Sequence, residues 1–385
     1  MRVLIWTSSF LPFRGGLETV TETLATNLRR LNHEVQIVTN RYPLTLTKKE
    51  NIDGLLVNRF LFYDLPSLEF IPKQRMIISA GGLLLGKLGM RQMRRFLRSF
   101  QPDVINVHFP EPISWLLEME REIKCRLVVS LHGSDVEQFG KQGLDKKKLS
   151  RLQTLLRRAD TVTACSGYLL NQAMGLEPSI KQKGKVIYNG VDLNLFKEKT
   201  TYDHFKPYIF SYGRLIHIKG FDLLIEAFAN VRKKYLDIKL VLAGEGTERN
   251  NLFERVTNLG LKESVTFYGK ASMPEIVRLL NGCEFVVIPS RREGFGMAAV
   301  ESMAAGKLVL ATKAGGLPEI LQNSHNILVE PMMVSAIQSG LEQCLALKEK
   351  SKIGMENRKL SEAYSADTMV SKYINTYLDQ NAPHN

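Results

Sequence analysis

The sequence is poor in the features that would take it out of the ordinary globular class. Its four cysteines, Cys125, Cys165, Cys283 and Cys344, stand far apart with no C-x-x-C pair. That excludes a disulfide framework or a cysteine zinc site and predicts isolated thiols in a reducing compartment. No apolar run approaches the roughly 20 residues that span a bilayer; the longest, residues 76–86, is closed by Arg75 and Lys87. The opening Val3-Leu4-Ile5-Trp6 gives way to Thr7-Ser8-Ser9 too early for the apolar region of a signal peptide, and reads as a buried first strand. Low-complexity tracts and repeats of solenoid period are missing as well. No G-x-G-x-x-G follows the first apolar run, which weighs against a dinucleotide dehydrogenase.

What is present is material for more than one core. At 385 residues, with 44% apolar and 24% charged side chains, the chain is expected to form two domains of about 150 to 200 residues. Its charge is lopsided: residues 1–200 hold 30 Lys and Arg against 19 Asp and Glu, the remainder 22 against 20, for a net charge of +13. Arg91, Arg94, Arg95 and Arg98 recur at helical spacing after the apolar run, so one face of segment 75–98 is strongly cationic. Two readings are open there: a surface lying on an anionic membrane, or a crossover helix with a solvated basic face. Nucleic acid, acidic lipid headgroups and a phosphate-bearing acceptor all satisfy the same electrostatics.

Short β-rich runs at 3–6, 34–39, 104–107 and 127–130 alternate with longer amphipathic stretches. This is the βαβ pattern, and strands so uniformly apolar suit a parallel sheet covered on both faces. The pattern breaks near 185–192 and restarts at 208–213, followed by strands at 239–243, 265–268, 285–288 and 308–311. A hinge belongs in the break, and two doubly wound domains follow. Ligands of such sheets bind beyond the carboxyl ends of the strands, so the residues just after each strand are the place to look for chemistry.

The most informative of these is Glu293-Gly294-Phe295-Gly296-Met297-Ala298-Ala299-Val300-Glu301, after the strand ending Ile288-Pro289-Ser290. Glycines let backbone N–H groups approach an anion, and the helix start beyond them adds partial positive charge, together making a diphosphate seat. Two carboxylates cannot bind phosphate. They can accept hydrogen bonds from sugar hydroxyls, and eight residues of helical rise separate them by up to about 12 Å, the span of a sugar nucleotide. Gly213-Arg214-Leu215 closes the first strand of this domain and Lys219-Gly220 opens the next helix; fixed cations there can stabilise charge developing on a departing diphosphate. A further loop, Ala314-Gly315-Gly316-Leu317-Pro318-Glu319, has a proline suited to a first helical turn and an acid that complements the helix dipole.

These residues together resemble a known family. Glu293 to Glu301 looks like the E-x7-E signature of the family 4 retaining glycosyltransferases, whose fold is called GT-B. The likeness includes Gly213-Arg214-Leu215, Lys219-Gly220, Gly315-Gly316-Leu317-Pro318-Glu319 and the pair Gly15-Gly16, and covers essentially the whole chain. The set in this order is specific where the E-x7-E spacing alone is weak. The resemblance implies an α/β GT-B architecture, two Rossmann-like doubly wound parallel-sheet domains facing a central cleft. The acceptor-binding domain is expected over 1–195, the nucleotide-sugar-binding domain over 205–360, and a C-terminal helix over 361–385, about 362–380, crossing back to the first domain.

It also implies roles. Arg214 and Lys219 would bind the donor diphosphate, Glu293 the donor sugar and Glu301 the ribose. Backbone at Gly294, Phe295, Gly296 and Met297 would support sugar and phosphates, and Gly15-Gly16 would bring Gly16 over the diphosphate from the opposite domain. In His132-Gly133-Ser134-Asp135, which looks like the family's H-G-x-D segment, His132 would contact the sugar near its anomeric centre, and Asp135 would position the acceptor. Apart from the resemblance, His108-Phe109-Pro110-Glu111-Pro112 follows the strand at 104–107, where His108 is expected to line the acceptor site, with a proline-fixed loop as the alternative. The expected catalytic set is His132, Arg214, Lys219 and Glu293, with no nucleophile, no metal and no cofactor beyond a UDP- or GDP-linked sugar as substrate. Expected partners are that donor, a saccharide or lipid-linked acceptor for cell-surface glycan or glycolipid synthesis, and an anionic membrane surface at 75–98, with no nucleic acid. The place of action is expected to be the cytoplasm, peripheral on the inner face of the membrane. A nucleotide-sugar epimerase and a non-catalytic polyanion-binding protein are the alternatives.

Overall fold

A computed structural model of the chain describes residues 1–13, 15–62, 78–110, 113–119, 122–140, 145–197, 200–202, 205 and 207–379, with side chains of 78–85 and 140 left aside. It divides into two units, Met1–Gly190 with Ala366–Asn385, and Val191–Ser365. The first passage of the first unit ends at Gly190. The two passages of the chain run side by side: Val191 N–H donates to the Tyr364 carbonyl at 2.9 Å and bridges to Ser365 in parallel.

The first unit is built from β1 (Arg2–Thr7), α1 (Gly16–Arg30), β2 (Glu34–Asn40), β3 (Lys49–Ile52), β4 (Leu55–Phe60), α2 (Ile78–Phe100), β5 (Val104–His108), α3 (Ile113–Glu118), β6 (Arg126–Leu131), α4 (Ser134–Glu137), α5 (Lys146–Arg158), β7 (Thr161–Ala164), α6 (Gly167–Leu176) and β8 (Gly184–Val186). The sheet order is β3-β4-β2-β1-β5-β6-β7-β8. Val3, Leu4, Ile5 and Trp6 are fully buried, as a parallel sheet covered on both faces requires. The antiparallel pair of β3 and β4 at one edge departs from the parallel pattern. Its turn is Asp53-Gly54, both at positive φ, a two-residue hairpin connection.

The second unit runs β9 (Tyr208–Tyr212), α7 (Phe221–Arg232), β10 (Lys239–Ala243), α8 (Arg249–Asn258), β11 (Val265–Gly269), α9 (Met273–Gly282), β12 (Val286–Ile288), α10 (Met297–Ala304), β13 (Val309–Thr312), α11 (Leu317–Leu321), β14 (Ile327–Val329), α12 (Val334–Ala346) and α13 (Lys350–Leu360). Its six strands, in the order β11-β10-β9-β12-β13-β14, are all parallel. Helix α7 shows why the layers hold: Phe221, Leu224, Ile225, Phe228 and Val231 recur on one stripe and are buried, and each such side chain removed from water contributes roughly 1.5 to 3 kcal/mol. In the first sheet the strand order reverses between β1 and β5, and in the second between β9 and β12. The loops leaving those strands are the switch-point loops where doubly wound sheets hold ligands.

The last helix, α14 (Ala366–Leu378), starts after a 3-10 turn at Ser361–Tyr364 and belongs to the first unit; Gln380 lies outside the described residues. It covers a polar ladder across β5, β6 and β7. Ser130 Oγ donates to Asn106 Oδ1 and Thr163 Oγ1 to Ser130 Oγ, both at 2.8 Å. From α14, Tyr377 accepts from Asn106 at 2.8 Å and Tyr373 reaches Ser130 at 3.2 Å, so buried polar groups find partners instead of remaining bare. Among the described residues no helix is long and apolar enough to cross a membrane.

Candidate active site

In the second unit the switch-point loops are tied into one piece. Arg291, just after β12, clamps Asp222 in the first turn of α7 through two bonds of 2.7 Å, and donates to the His217 carbonyl at 2.8 Å. Its own N–H donates to the Ile218 carbonyl at 2.8 Å. Burial alone would raise the Asp222 carboxyl, but the hydrogen bonds and charge of Arg291 outweigh it and hold that group below its usual value. The Lys219 loop and the Glu293 loop are thereby fixed against each other.

This fixing brings the sequence-predicted residues together. Lys219 Nζ lies 2.6 Å from Oε2 of Glu293, and Ser290 Oγ donates to the same oxygen at 3.1 Å. Oε1 of Glu293 has no hydrogen-bond partner among the described residues. Glu301 repeats the arrangement one turn into α10: Tyr212, at the end of β9, donates to its Oε2 at 2.7 Å, while Oε1 is open. Both acids are thus held by one oxygen and present the other. Arg214 stands apart, exposed and with no ion-pair partner among the described residues. Lys219 keeps two of its three N–H donors for an anion. Helix α10 begins at Gly296 with no side-chain cap, so its first amides remain as anion donors.

Glycine is required where these loops touch. Gly315 has φ +57, and a Cβ there would lie 1.8 Å from the Glu293 carbonyl oxygen, which also accepts from Gly316 N–H at 2.9 Å. Gly220 has φ +70, and its Cβ would lie 2.1 Å from the Pro289 carbonyl. No side chain can intervene between backbones this close. The loop at Gly315, explicable from sequence as helix capping, therefore also sets where Glu293 sits.

In the first unit, Gly15 caps α1 and Gly16 begins it, and among the described residues no atom beyond its chain neighbours and the helix's own backbone lies within 4 Å of a Cβ built at Gly16. Nothing among the described residues forbids a side chain there. His132 follows β6, and its Nε2 is 2.9 Å from His108 Nδ1, with the rings stacked at 5.1 Å. Burial pushes both imidazoles down, that of His108 helped by His132, and His132 to about 4, so both are neutral near pH 7. His108 Nε2 is buried without a partner. An orphaned N–H there would be costly, which assigns the proton to His108 Nδ1 and leaves His132 a donor through its own Nδ1–H.

Two of the expected acceptor residues are buried in the first unit. His108 is fully buried and lines no open surface; as the last residue of β5 it faces the neighbouring strand and acts on His132. Asp135 is 4% exposed, its carboxylate accepting from His132 N–H at 2.9 Å and Gly133 N–H at 2.7 Å, so it shapes the His132 turn. Glu111 of the His108 loop lies outside the described residues. Burial raises the Asp135 carboxyl to about 6 despite those bonds. A raised acid favours folding while neutral, and that contribution disappears as pH rises from its unfolded value through about 6. Asp135→Asn is therefore expected to gain on the wild type by roughly 2 kcal/mol between pH 4 and pH 7. Urea melts across that range check it, and a gap that stays constant with pH would contradict the assignment.

On α2, Lys87, Arg91, Arg95 and Arg98 are exposed and spaced to share a stripe, while Arg94 instead pairs with Glu122 at 3.0 Å. Residues 75–77 lie outside the described residues. Sequence reasoning missed Tyr212, Asp222, Ser290 and Arg291. Their signal was only adjacency: each sits within a few residues of Arg214, Lys219 or Glu293.

Comparison with known proteins adds two family models that tile the chain. The one described as Glycosyltransferase Family 4 matches residues 14–195, and the one described as Glycosyl transferases group 1 matches residues 194–360. An uncharacterised glycosyltransferase of Methanocaldococcus jannaschii is 30% identical, with 94% of each chain covered. An N-acetyl-alpha-D-glucosaminyl L-malate synthase of Bacillus anthracis is 26% identical over 96% of this chain and 95% of its own. Among solved structures, the sucrose-phosphate synthase of Thermosynechococcus elongatus superposes with a TM-score of 0.79 at 18% identity, covering 98% of both chains. Anabaena HepE, solved with UDP-glucose, gives 0.77 at 20% identity over 98% of this chain and 99% of that one.

Proposed function

The chain belongs to the family 4 glycosyltransferases with the GT-B fold, and on that premise we propose that it is a retaining, metal-independent enzyme moving a sugar from a nucleoside diphosphate to a saccharide or lipid-linked acceptor. The observation that carries the reading is the paired arrangement of Glu293 and Glu301. Each is tied by one oxygen, with the other open, one just before and one a turn beyond an uncapped helix start, and Glu293 is held by Lys219. Hydroxyl-bearing groups at both ends of a diphosphate match that order of acceptor, anion seat and acceptor. The neighbour solved with UDP-glucose supports a nucleotide-sugar donor, UDP- or GDP-linked.

In this reading Glu293 accepts from hydroxyls of the transferred sugar and Glu301 from the ribose. Arg214 and Lys219 hold the diphosphate, and the amides of Gly296 and Met297 approach it. In the first unit Gly15 and Gly16 bring backbone to the phosphates, and His132 donates to the sugar as a neutral imidazole. The bond from the anomeric carbon to the phosphate oxygen breaks as the acceptor oxygen bonds the same face. The acceptor's proton passes to the departing phosphate, so no protein nucleophile is needed. Rate enhancement then comes from placement and from cations fixed where charge develops. The enzyme acts in the cytoplasm, peripheral on the inner face of the membrane, in glycan or glycolipid synthesis; the basic stripe of α2 supports this by its attraction to acidic headgroups.

The test is a thermal-shift series with UDP, GDP and their sugars without added metal. A ligand at a hundred times its Kd is expected to stabilise the folded protein by about 2.7 kcal/mol, and Arg214→Ala to remove the shift. Because Arg214 is exposed and has no ion-pair partner among the described residues, its loss is expected to leave the unliganded melting temperature unchanged. A folded wild type indifferent to every such ligand would sink the proposal.

A further inference from the structure

Tyr212 was not singled out by any feature of the sequence, yet it makes the contact on which the state of Glu301 depends. It is the last residue of β9, and its ring stacks on Phe210 at 5.0 Å with 12° between planes. The hydroxyl therefore has little freedom of position. It lies 2.7 Å from Oε2 of Glu301 and 3.2 Å from the Ala298 carbonyl. That carbonyl already accepts from Ser302 Oγ at 2.6 Å. A tyrosine has one hydrogen to give, and the shorter, charge-assisted contact with the carboxylate is the stronger claim on it.

Glu301 is 7% exposed, and its carboxylate, left alone, would be driven toward the neutral acid by burial. Burial does raise it, and the bond from Tyr212 opposes that rise. A neutral acid would carry a proton on one oxygen and lose half its capacity to accept. A carboxylate anchored through Oε2 instead has a fixed plane and one committed acceptor, Oε1, with lone pairs for two adjacent hydroxyls. Arg214, Lys219 and Arg291, the cations of the surrounding loops, are directed elsewhere or exposed, and none pairs with Glu301 among the described residues.

The geometry points to Tyr212 as a positioning residue for nucleotide recognition: by holding Oε2 it commits Oε1 of Glu301 to the vicinal diol of a ribose, making the enzyme select ribonucleotides over 2′-deoxyribonucleotides. This rests on the assignment of Glu301 to the ribose given above. Tyr212 touches no substrate and acts through the carboxylate.

The experiment is a binding cycle by calorimetry on the full chain, using UDP, GDP and their 2′-deoxy forms with wild type, Tyr212→Phe and Glu301→Gln. Phenylalanine keeps the ring on Phe210 and removes only the hydroxyl. For whichever base binds, the wild type is expected to prefer the ribonucleotide at least tenfold, a difference of about 1.4 kcal/mol. Tyr212→Phe should narrow the preference to threefold or less by weakening the ribonucleotide while leaving the deoxy form unchanged. Glu301→Gln should narrow it as far, and adding Tyr212→Phe to it should do nothing more. Equal weakening of both nucleotides by Tyr212→Phe, or a preference that survives either variant, overturns the role of Tyr212. A wild type that binds ribose and deoxyribose forms alike, or binds neither base, instead overturns the placement of Glu301 beneath it.

Discussion

Glu293→Gln is expected to lower the transfer rate a hundredfold to a thousandfold, about 3 to 4 kcal/mol at the transition state, while the melting temperature moves by a few degrees at most. The side chain keeps its shape, and its amide oxygen can still accept from Lys219 and Ser290, which now converge on Oε2. What disappears is the negative charge that, in the proposed reading, faces the sugar. A carboxylate accepts hydroxyl hydrogens more strongly than an amide, and the difference grows as the sugar gains positive character in the transition state. Steady-state kinetics with the nucleotide sugar that stabilises the protein gives the number. A kcat within tenfold of the wild type would remove Glu293 from the reaction, and a product of inverted anomeric configuration would remove the front-face course.

Gly315→Ala should do the converse, damaging the scaffold first. The added Cβ would meet the Glu293 carbonyl oxygen at 1.8 Å, a backbone atom that cannot rotate away, at a φ that disfavours a side chain. Overlap and strain together are expected to cost about 3 kcal/mol, roughly 6 to 12 °C in melting temperature for a unit of this size. Gly16→Ala is the matched control. It meets nothing within 4 Å and lies at the first residue of α1, so its melting temperature should hold or rise slightly, while transfer falls if backbone there approaches a phosphate. Scanning calorimetry on both variants separates the two kinds of glycine. Equal melting temperatures for Gly315→Ala and wild type would mean that this loop does not set the position of Glu293.

Much of the architecture was legible because a parallel sheet covered on both faces leaves a plain trace, apolar strands at a regular interval. The edge pair of β3 and β4 was not, since Lys49–Ile52 is largely exposed and polar, and only Asp53-Gly54 marks its turn. The site was legible where chemistry fixes both residue type and spacing, as at Glu293 and Glu301. It was illegible where a side chain acts on another side chain. Arg291 and Asp222 lie 69 residues apart in the chain, and Tyr212 and Glu301 lie 89 apart, so no local pattern joins them. The contact of His108 with His132 was hidden for a related reason: a histidine at a strand end looks the same in sequence whether it faces solvent or a second histidine.

The return of α14 to the first unit has a consequence for biosynthesis. Since the second unit, Val191–Ser365, interrupts the first, a ribosome delivers all of the inserted domain before the helix that covers Asn106 and Ser130. The inserted domain is contiguous and can mature during translation. Its host has to wait, with a row of uncovered polar groups on its sheet, until α14 emerges.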